Sequence, residues 1–308
     1  MASPFGPMTL IVNLHAGGRK ARRAVHDVER TLDSLGLEYG VQVTTSAGDA
    51  TRIARRRAEQ GGRFLVAVGG DGTVHEVVNG MLAEGRPVAP GPVLGVVAAG
   101  SGCDFVRTFG LPARPSRAAR RLDGEAVHPL DVASISCIDR QGHPTARYFA
   151  NIAEAGLGAA TASRAVGLPR WVGPSRYFFA FWAALPSYRP GTMRIEVDGR
   201  AAYEGRAVNV VAANARFFGG GMHISPRSDP ADGVVELLVF VGRKTDSFTM
   251  LPRVYRGRHL PHPSIVELQA RRVALESDQP FAVEADGEVL GTTPATIEVL
   301  PQALALKV

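Results

Sequence analysis

Cysteine, lysine and tryptophan are scarce in this 308-residue chain, and each scarcity narrows the reading. The two cysteines, Cys103 and Cys137, share no metal-like spacing, and so low a cysteine count fits a reduced, cytoplasmic setting. Lysine occurs only at positions 20, 244 and 307, so arginine supplies nearly all of the positive charge behind the net +6. No uninterrupted apolar run approaches the ~18–20 residues of a membrane span. Residues Met1 to Pro7 lack the basic segment and apolar stretch of a signal peptide. The chain has no Gly-x-x-x-x-Gly-Lys-Ser/Thr loop, no Gly-x-Gly-x-x-Gly after a strand and no Gly-x-Ser-x-Gly elbow, which argues against three common catalytic scaffolds. Aromatic and basic residues are not interleaved, so no nucleic-acid platform is expected. The eight histidines form no metal set; His15 and His75 lie beside glycine turns and read as solvated turn or helix residues.

The length suggests two domains, and a hydrophobic content of 45% is that of a globular protein. The first ~125 residues alternate strand and helix signals. Strands are expected at Met8–Leu14, Tyr39–Thr44, Phe64–Val68 and Val93–Ala98, and helices at Arg19–Leu35 and from Asp49 to about Gln60. This βαβα order implies a parallel sheet with helices on both faces, and ligands bind such sheets at the carboxyl ends of the strands. The glycine turns at Ala16-Gly17-Gly18, Gly69 to Gly72 and Gly100-Ser101-Gly102 all fall at that edge.

After His128 strands dominate: Val132–Ile138, Arg194–Val197, Ala207–Ala212, Val234–Val241, Val273–Leu275 and Phe281–Ala285, with one helical interlude around Ser175–Leu185. The second half reads as a mainly β domain, most simply a sandwich. The fold class expected is α/β plus mainly β, with residues 1–127 forming the first domain and 128–302 the second. The aromatic run Tyr177-Phe178-Phe179-Ala180-Phe181-Trp182 reads first as core; a membrane interface or an acyl-chain pocket are its other readings. The arginine clusters at 19–23, 55–57 and 120–121 read singly as solvated faces, and together as a surface attracted to anionic lipid or nucleotide.

The densest chemical signal is Gly69-Gly70-Asp71-Gly72-Thr73, placed between a buried strand and a helix. Such a turn lets backbone N–H groups face phosphate oxygens, and its glycines permit close approach. Asp71 beside phosphates makes chemical sense if it holds Mg²⁺ or orders water around it. Thr73 and Glu76 have the spacing of a capping box, which makes Glu76 structural.

The stretch Gly69-Gly70-Asp71-Gly72-Thr73-Val74-His75-Glu76-Val77-Val78-Asn79-Gly80 resembles the signature of the diacylglycerol kinase catalytic-domain family, which includes bacterial lipid kinases, sphingosine kinases and ceramide kinases. Asn13-Leu14-His15-Ala16-Gly17 resembles that family's first nucleotide loop. Thr44 with Gly48-Asp49-Ala50 resembles its second contact region. Gly100 to Arg107 resembles Gly-Thr-x-Asn-Asp-Phe-Ala-Arg. Gly219-Gly220-Gly221-Met222 through Pro226 to Asp232-Gly233, and the C-terminal Asp286-Gly287-Glu288, complete six matches in the family's order. Two positions depart: Leu14 replaces a proline, and Cys103 replaces an asparagine, removing an amide donor.

The resemblance implies a phosphofructokinase- and NAD-kinase-like α/β domain, a β-sandwich domain, and a last segment near 303–308 that returns to the first domain, with ATP in the cleft between them. It implies an ATP-dependent, Mg²⁺-requiring lipid kinase working at a membrane surface, cytoplasmic and peripherally attached, with a lipid acceptor such as diacylglycerol. It assigns Glu288 as general base and Asp71, Asp104 and Asp131 as the acidic network around catalytic Mg²⁺. Nucleotide contacts fall on Asn13, Leu14, His15, Ala16, Gly17, Thr44, Gly69, Gly70, Asp71, Gly72, Thr73 and Ser101. A structural Mg²⁺ would be held by Asp232 with the carbonyls of Asp229 and Val234. A NAD kinase and a nucleotide- or lipid-binding regulator without turnover stand as alternatives.

Overall fold

Strands made almost wholly of apolar residues need cover on both faces, and the first half of the chain supplies three of them. In the computed structural model they are β1 (Met8–Val12), β3 (Phe64–Gly69) and β6 (Val93–Ala98). The structure describes residues 3–14, 19–100, 103–167 and 176–308, which divide into two units: 1–132 with 300–308, and 133–299.

In the first unit the order along the chain is β1, α1 (Arg19–Ser34), β2 (Tyr39–Val43), α2 (Asp49–Glu59), β3, α3 (Asp71–Met81), a small hairpin of β4 (Leu82–Ala83) and β5 (Arg86–Pro87), β6, α4 (Asp104–Thr108) and α5 (Pro115–Arg120). The sheet runs β6-β3-β1-β2, all parallel, with Ala305 and Leu306 adding a parallel rung on β6. Val28 and Leu32 of α1 and Ala118 and Ala119 of α5 pack on one face with Leu10, Val66 and Val97. Helix α3 packs on β3 and α2 on β1, and the two helices cross closely. Gly80 permits that crossing: a Cβ there would strike Ala54 and come within 2.5 Å of the Thr51 carbonyl oxygen.

The second unit is a sandwich. One layer runs from β14 through β13, β12 and β9 to β16 and β17; the other joins β10 with β11 and β15, and β7 with β8, through β17. Their bounds are β7 (Val127–Ile138), β8 (Pro144–Phe149), β9 (Ile152–Gly156), β10 (Gly191–Val197), β11 (Arg200–Ala207), β12 (Asn209–Ala213), β13 (Val235–Phe240), β14 (Ile265–Ala270), β15 (Arg272–Ser277), β16 (Ala282–Ala285) and β17 (Glu288–Lys307). Inward residues such as Met193, Ile195, Val210, Leu237 and Val283 fill the space between layers, while Arg194 and Glu196 of the same strand β10 face out. The outer face of the first layer is covered by helices: Met250 and Val254 of α8 (Ser247–Tyr255) pack on Ile152, Val211 and Leu238. Leu157 of α6 (Leu157–Val166) and Ala184 of α7 (Arg176–Ala184) pack with Val208.

Several expectations need correction. Against the expectation of one helical interlude after residue 128, three α-helices stand among the described residues. Helix α6 is built of small residues with weak periodicity, and α8 carries Pro252 inside it. The run Ala207–Ala212 is two strands, because Val208 leaves the ladder to donate its N–H to the Phe240 carbonyl at 2.8 Å. The aromatic run is only partly core: Phe178 and Phe179 are exposed, while Trp182 lies on Phe248 with ring centroids 4.7 Å apart. His75 is buried on α3 beside Asn79, not solvated.

Gly80→Ala is expected to destabilise the chain by about 1–3 kcal/mol, because overpacking at a backbone contact outweighs the ~1 kcal/mol gain in helix propensity. A lower denaturant midpoint with unchanged slope checks it.

Candidate functional site

The turn at Gly69–Thr73 is assembled by backbone contact. The Gly69 carbonyl accepts the N–H groups of Ala99 (2.8 Å) and Gly100 (3.2 Å). A Cβ at Gly100 would lie 2.6 Å from Gly70 Cα, and one at Gly69 would overlap the Thr73 side chain. Both glycines are therefore demanded by close approach. Helix α3 starts at Asp71, with Gly70 as N-cap in extended conformation, and its first N–H groups lie at the end of β3.

The expected capping box is absent, since the helix begins two residues before Thr73. Glu76 instead reaches to α2, accepting the N–H of Gly48 on Oε1 and of Ala50 on Oε2, each at 3.0 Å. Thr73 Oγ1 is buried and has no hydrogen-bond partner among the described residues.

Asp71 accepts the backbone N–H of Asp104 (3.1 Å) and of Phe105 (3.0 Å), so it caps α4. Asp104 accepts from Arg107 at 2.7 Å, and Asp131 accepts the Gln302 N–H at 2.6 Å. Cys103 precedes α4 at φ 57°, in the left-handed region. Burial first, and the Asp71 charge second, push its thiol up to about 11. The Asn13 N–H donates to the Val68 carbonyl at 3.1 Å, and Leu14 packs on the core of this unit. The Thr44 hydroxyl donates to the Val12 carbonyl at 3.3 Å. The Asp49 carboxylate, bonded to the Thr45 hydroxyl and N–H, is held well below the usual range. His15, Ala16, Gly17 and Ser101 lie outside the described residues.

No three His, Cys, Asp or Glu residues are grouped as metal ligands among the described residues. Asp71, Asp104 and Asp131 thus do not form a three-carboxylate cage. In the second unit the Asp229 carbonyl accepts the Asp232 N–H (3.3 Å), and Asp232 Oδ1 accepts the Val234 N–H (3.1 Å), a tight turn closed on itself.

Glu288 is exposed and opens β17 directly after a two-residue turn in which Asp286 (φ 49°) and Gly287 (φ 89°) are both left-handed. That is the primed hairpin geometry that Asp-Gly favours. The turn is pinned: Asp286 Oδ1 accepts the N–H groups of Asn151 and Ile152, and Oδ2 that of Ala150. Gly287 donates to Glu284 Oε2 at 2.7 Å.

Sequence reasoning missed Glu154, Glu284 and Asn209. Both acids are nearly inaccessible, 4% and 2% exposed, and pair across β9 and β16. Asn209 Nδ2 donates to Glu154 Oε1 at 2.9 Å. Burial pushes the Glu154 carboxyl up to about 7, opposed by its bonds to Asn209 and Glu284. The available signal was a lone acid inside an apolar strand, Ile-Ala-Glu-Ala-Gly and Ala-Val-Glu-Ala. Glu154 and Asn209 wall a cavity of about 130 Å³ lined otherwise by Leu157, Phe181, Phe240 and Met250 among other side chains.

Comparison with known proteins agrees with this architecture. Residues 7–135 match the family model described as the diacylglycerol kinase catalytic domain, and residues 151–308 that of the YegS C-terminal NAD kinase β sandwich-like domain. A diacylglycerol kinase of Bacillus subtilis is 28% identical over 288 residues, covering 92% of this chain and 90% of that one. A diacylglycerol kinase of Mycobacterium tuberculosis is 28% identical over 304 residues, covering 97% and 94%. A crystal structure of a putative diacylglycerol kinase from Bacillus anthracis superposes with a TM-score of 0.77 at 24% identity, covering 98% and 96%. Yeast NADH kinase superposes with a TM-score of 0.51 at 13% identity, covering 97% of this chain and 82% of that one; at that distance the likeness is one of fold.

Glu154 yields a pH signature. Its folded value of about 7 lies above the ordinary 4.5, so between them the folded chain holds more proton than the unfolded one. Its contribution to stability is complete below about pH 4.5 and is lost as pH rises through about 7, by up to about 3 kcal/mol. Glu154→Gln is expected to remove that part of the slope in denaturant melts across this range; identical pH dependence in variant and parent would refute the assignment.

Proposed function

The chain belongs to the bacterial diacylglycerol kinase family with a YegS-type β-sandwich, and from that premise we propose that it transfers the γ-phosphoryl group of ATP to a hydroxyl of a membrane lipid. The observation that carries the reading is the junction of the Gly69–Thr73 and Gly100 turns, backbone against backbone, at the carboxyl edge of a parallel sheet and the start of α3. N–H groups at such an edge suit phosphate oxygens. The orphaned Thr73 hydroxyl is a polar atom suited to a nucleotide partner.

Asp71 positions α4, and with it Asp104, through two N–H bonds. A single carboxylate at a glycine turn suits an ion carried largely on nucleotide phosphates rather than an all-protein cage. Mg²⁺, when bound there, neutralises charge on the β- and γ-phosphates. Glu288, on its pinned turn, takes the proton from the lipid hydroxyl as that oxygen bonds to the γ-phosphorus. The bond from the γ-phosphorus to the bridging oxygen breaks, and ADP leaves.

The assay is Mg·ATP turnover against diacylglycerol, phosphatidylglycerol, a sphingoid base and ceramide. Glu288→Gln is expected to lower kcat about 10²–10⁴-fold with little change in KM for ATP. Asp71→Ala is expected to abolish turnover and to cost about 1–3 kcal/mol of stability from two unsatisfied N–H groups. Full activity in either variant, or phosphorylation of NAD and of no lipid, overturns the proposal.

The same reading places the lipid at a bilayer. No described helix is long and apolar enough to cross a membrane. Phe178, Phe179, Phe248 and Tyr255 are exposed on α7 and α8, with exposed Arg243, Arg253 and Arg256 in the same α8 region. Aromatic rings with cations beside them suit an anionic membrane surface. Co-sedimentation should rise when phosphatidylserine is added to phosphatidylcholine vesicles and fall with salt. Phe248→Ala should weaken it roughly tenfold; binding indifferent to charge, salt and this ring counts against the surface.

A further inference from the structure

A buried imidazole with a bare ring nitrogen is stable only while it is neutral, because a proton added there becomes a charged donor with nothing to accept it. His259 is such a ring, 1% exposed, in the loop between α8 and β14. Its Nε2 is 2.9 Å from the Ile224 carbonyl oxygen, a bond that only an N–H can make. Nε2 therefore carries the proton and Nδ1 keeps a lone pair. Nδ1 is buried and has no hydrogen-bond partner among the described residues. His223, the residue before Ile224, is the second such ring. It stacks on Phe217 with centroids 4.3 Å apart and planes 16° from parallel, and its Nε2 is likewise buried without a partner among those residues. Gly257, at φ 62°, makes room for it: a Cβ there would lie 2.5 Å from His223 Nδ1.

The two rings thus tie the loop that follows α8 to the segment 217–225. Both stretches belong to a cavity wall. Ile224, Phe218 and Met222 pack with Met250 and Val254 of α8 and with Leu260 of the loop, and all of these but Leu260 line the cavity. The charges that act on the rings are basic throughout. Burial, and after it Arg216, holds His223 below the ordinary 6.5. Burial pushes His259 down first; the Ile224 bond opposes it, and His223 and His262 add to the fall. His262 is half-buried, with its Nδ1 accepting the Ser264 N–H at 3.1 Å. Acids on the neighbouring elements are engaged elsewhere: Glu267 of β14 with Arg227, Glu236 of β13 with Gln269, and Asp246 before α8 with the Arg243 N–H. Tyr255, Arg256 and Arg258 at the end of α8 are exposed.

We propose that His223 and His259 form an acid-released latch on this cavity wall. Neutral, they hold the loop after α8 against the segment 217–225; protonated, they repel each other and Arg216, and the two stretches part. The latch does not depend on which molecule the chain phosphorylates. Both rings lie below 6.5 when it is closed and return to about 6.5 when it opens. Closure is therefore favoured in full above about pH 6.5 and is lost as pH falls below it, by up to about tenfold per pH unit for each ring. Glu154, on the far wall, has its value raised by burial and strengthens the fold as pH falls, so it opposes this signal and does not imitate it.

The test is hydrogen–deuterium exchange of the full chain at about pH 7.5 and about pH 5.5, corrected for the intrinsic pH dependence of exchange. Amides of 217–225 and 256–264 are expected to open about 10–100-fold more at the lower pH, while those of β10 and β15 keep their protection. His259→Gln retains a donor for the Ile224 carbonyl and takes up no proton, so it is expected to make that ratio about tenfold smaller. Equal protection of the parent chain at both pH values, a loss shared equally by β10 and β15, or an undiminished ratio in His259→Gln overturns the latch. Should the variant be loose at both pH values, NMR of the parent chain with labelled histidine decides. His223 and His259 protonating in step with the loss of protection upholds the latch, and their protonation near pH 6.5 with protection intact overturns it.

Discussion

The two N–H bonds that Asp71 accepts from Asp104 and Phe105 are the constraint on which the glycine-turn edge of the first unit depends. A five-residue helix such as α4 is too short to be stable by itself. Its start is fixed because a carboxylate on the neighbouring turn satisfies two of its orphan donors. That bond requires the turns to meet, and they meet where Gly100 presents bare backbone to Gly70. Asp71 therefore has a structural duty before any chemical one, and the glycines serve the approach of one loop to another as much as that of a ligand.

The first unit was legible because its signals are local. Phe64–Val68 and Val93–Ala98 are apolar throughout, and Val28 and Leu32 recur on one face of α1, so periodicity alone places strands and helices. The second unit was legible as a sandwich but not in its helices. A helix built mostly of Leu, Gly, Ala, Thr and Ser carries little amphipathic signal, and what makes α6 a helix is its seat on the sheet beside α7. Glu76 shows a different limit. Its spacing from Thr73 fits a local cap, yet its carboxylate satisfies donors at the start of another helix. Side chains choose partners by distance in space, which the spacing of residues along a chain does not encode.

The acid pair follows the same rule with larger stakes. Glu154 and Glu284 are 130 residues apart, and nothing local to either marks the other. Only the register of β9 on β16 brings them together. Once there, Gly158, Asn209 and Gly287 each meet one of their needs, which is the arrangement expected when polar groups are retained in a core in spite of their cost. Glu284 also touches the turn before Glu288, and Asp286 ties that turn to residues 150–152 through three backbone donors. The Asp-Gly-Glu turn is thus held by the Glu284 and Asp286 carboxylates, while Glu288 after it is exposed.

Cys103 shows why a departure from the family pattern is tolerable. Its backbone sits in the left-handed region, where asparagine is favoured and a cysteine costs something on the order of 1 kcal/mol. Its sulfur lies 3.6 Å from the Gly100 carbonyl oxygen, so the thiol replaces an amide as a weak donor to the same loop. Burial and the neighbouring Asp71 keep it protonated. An ionised thiol would set a second negative charge beside the Asp71 carboxylate. This one is held neutral by burial first and by the Asp71 charge second, so the substitution weakens a hydrogen bond without adding a negative charge beside Asp71.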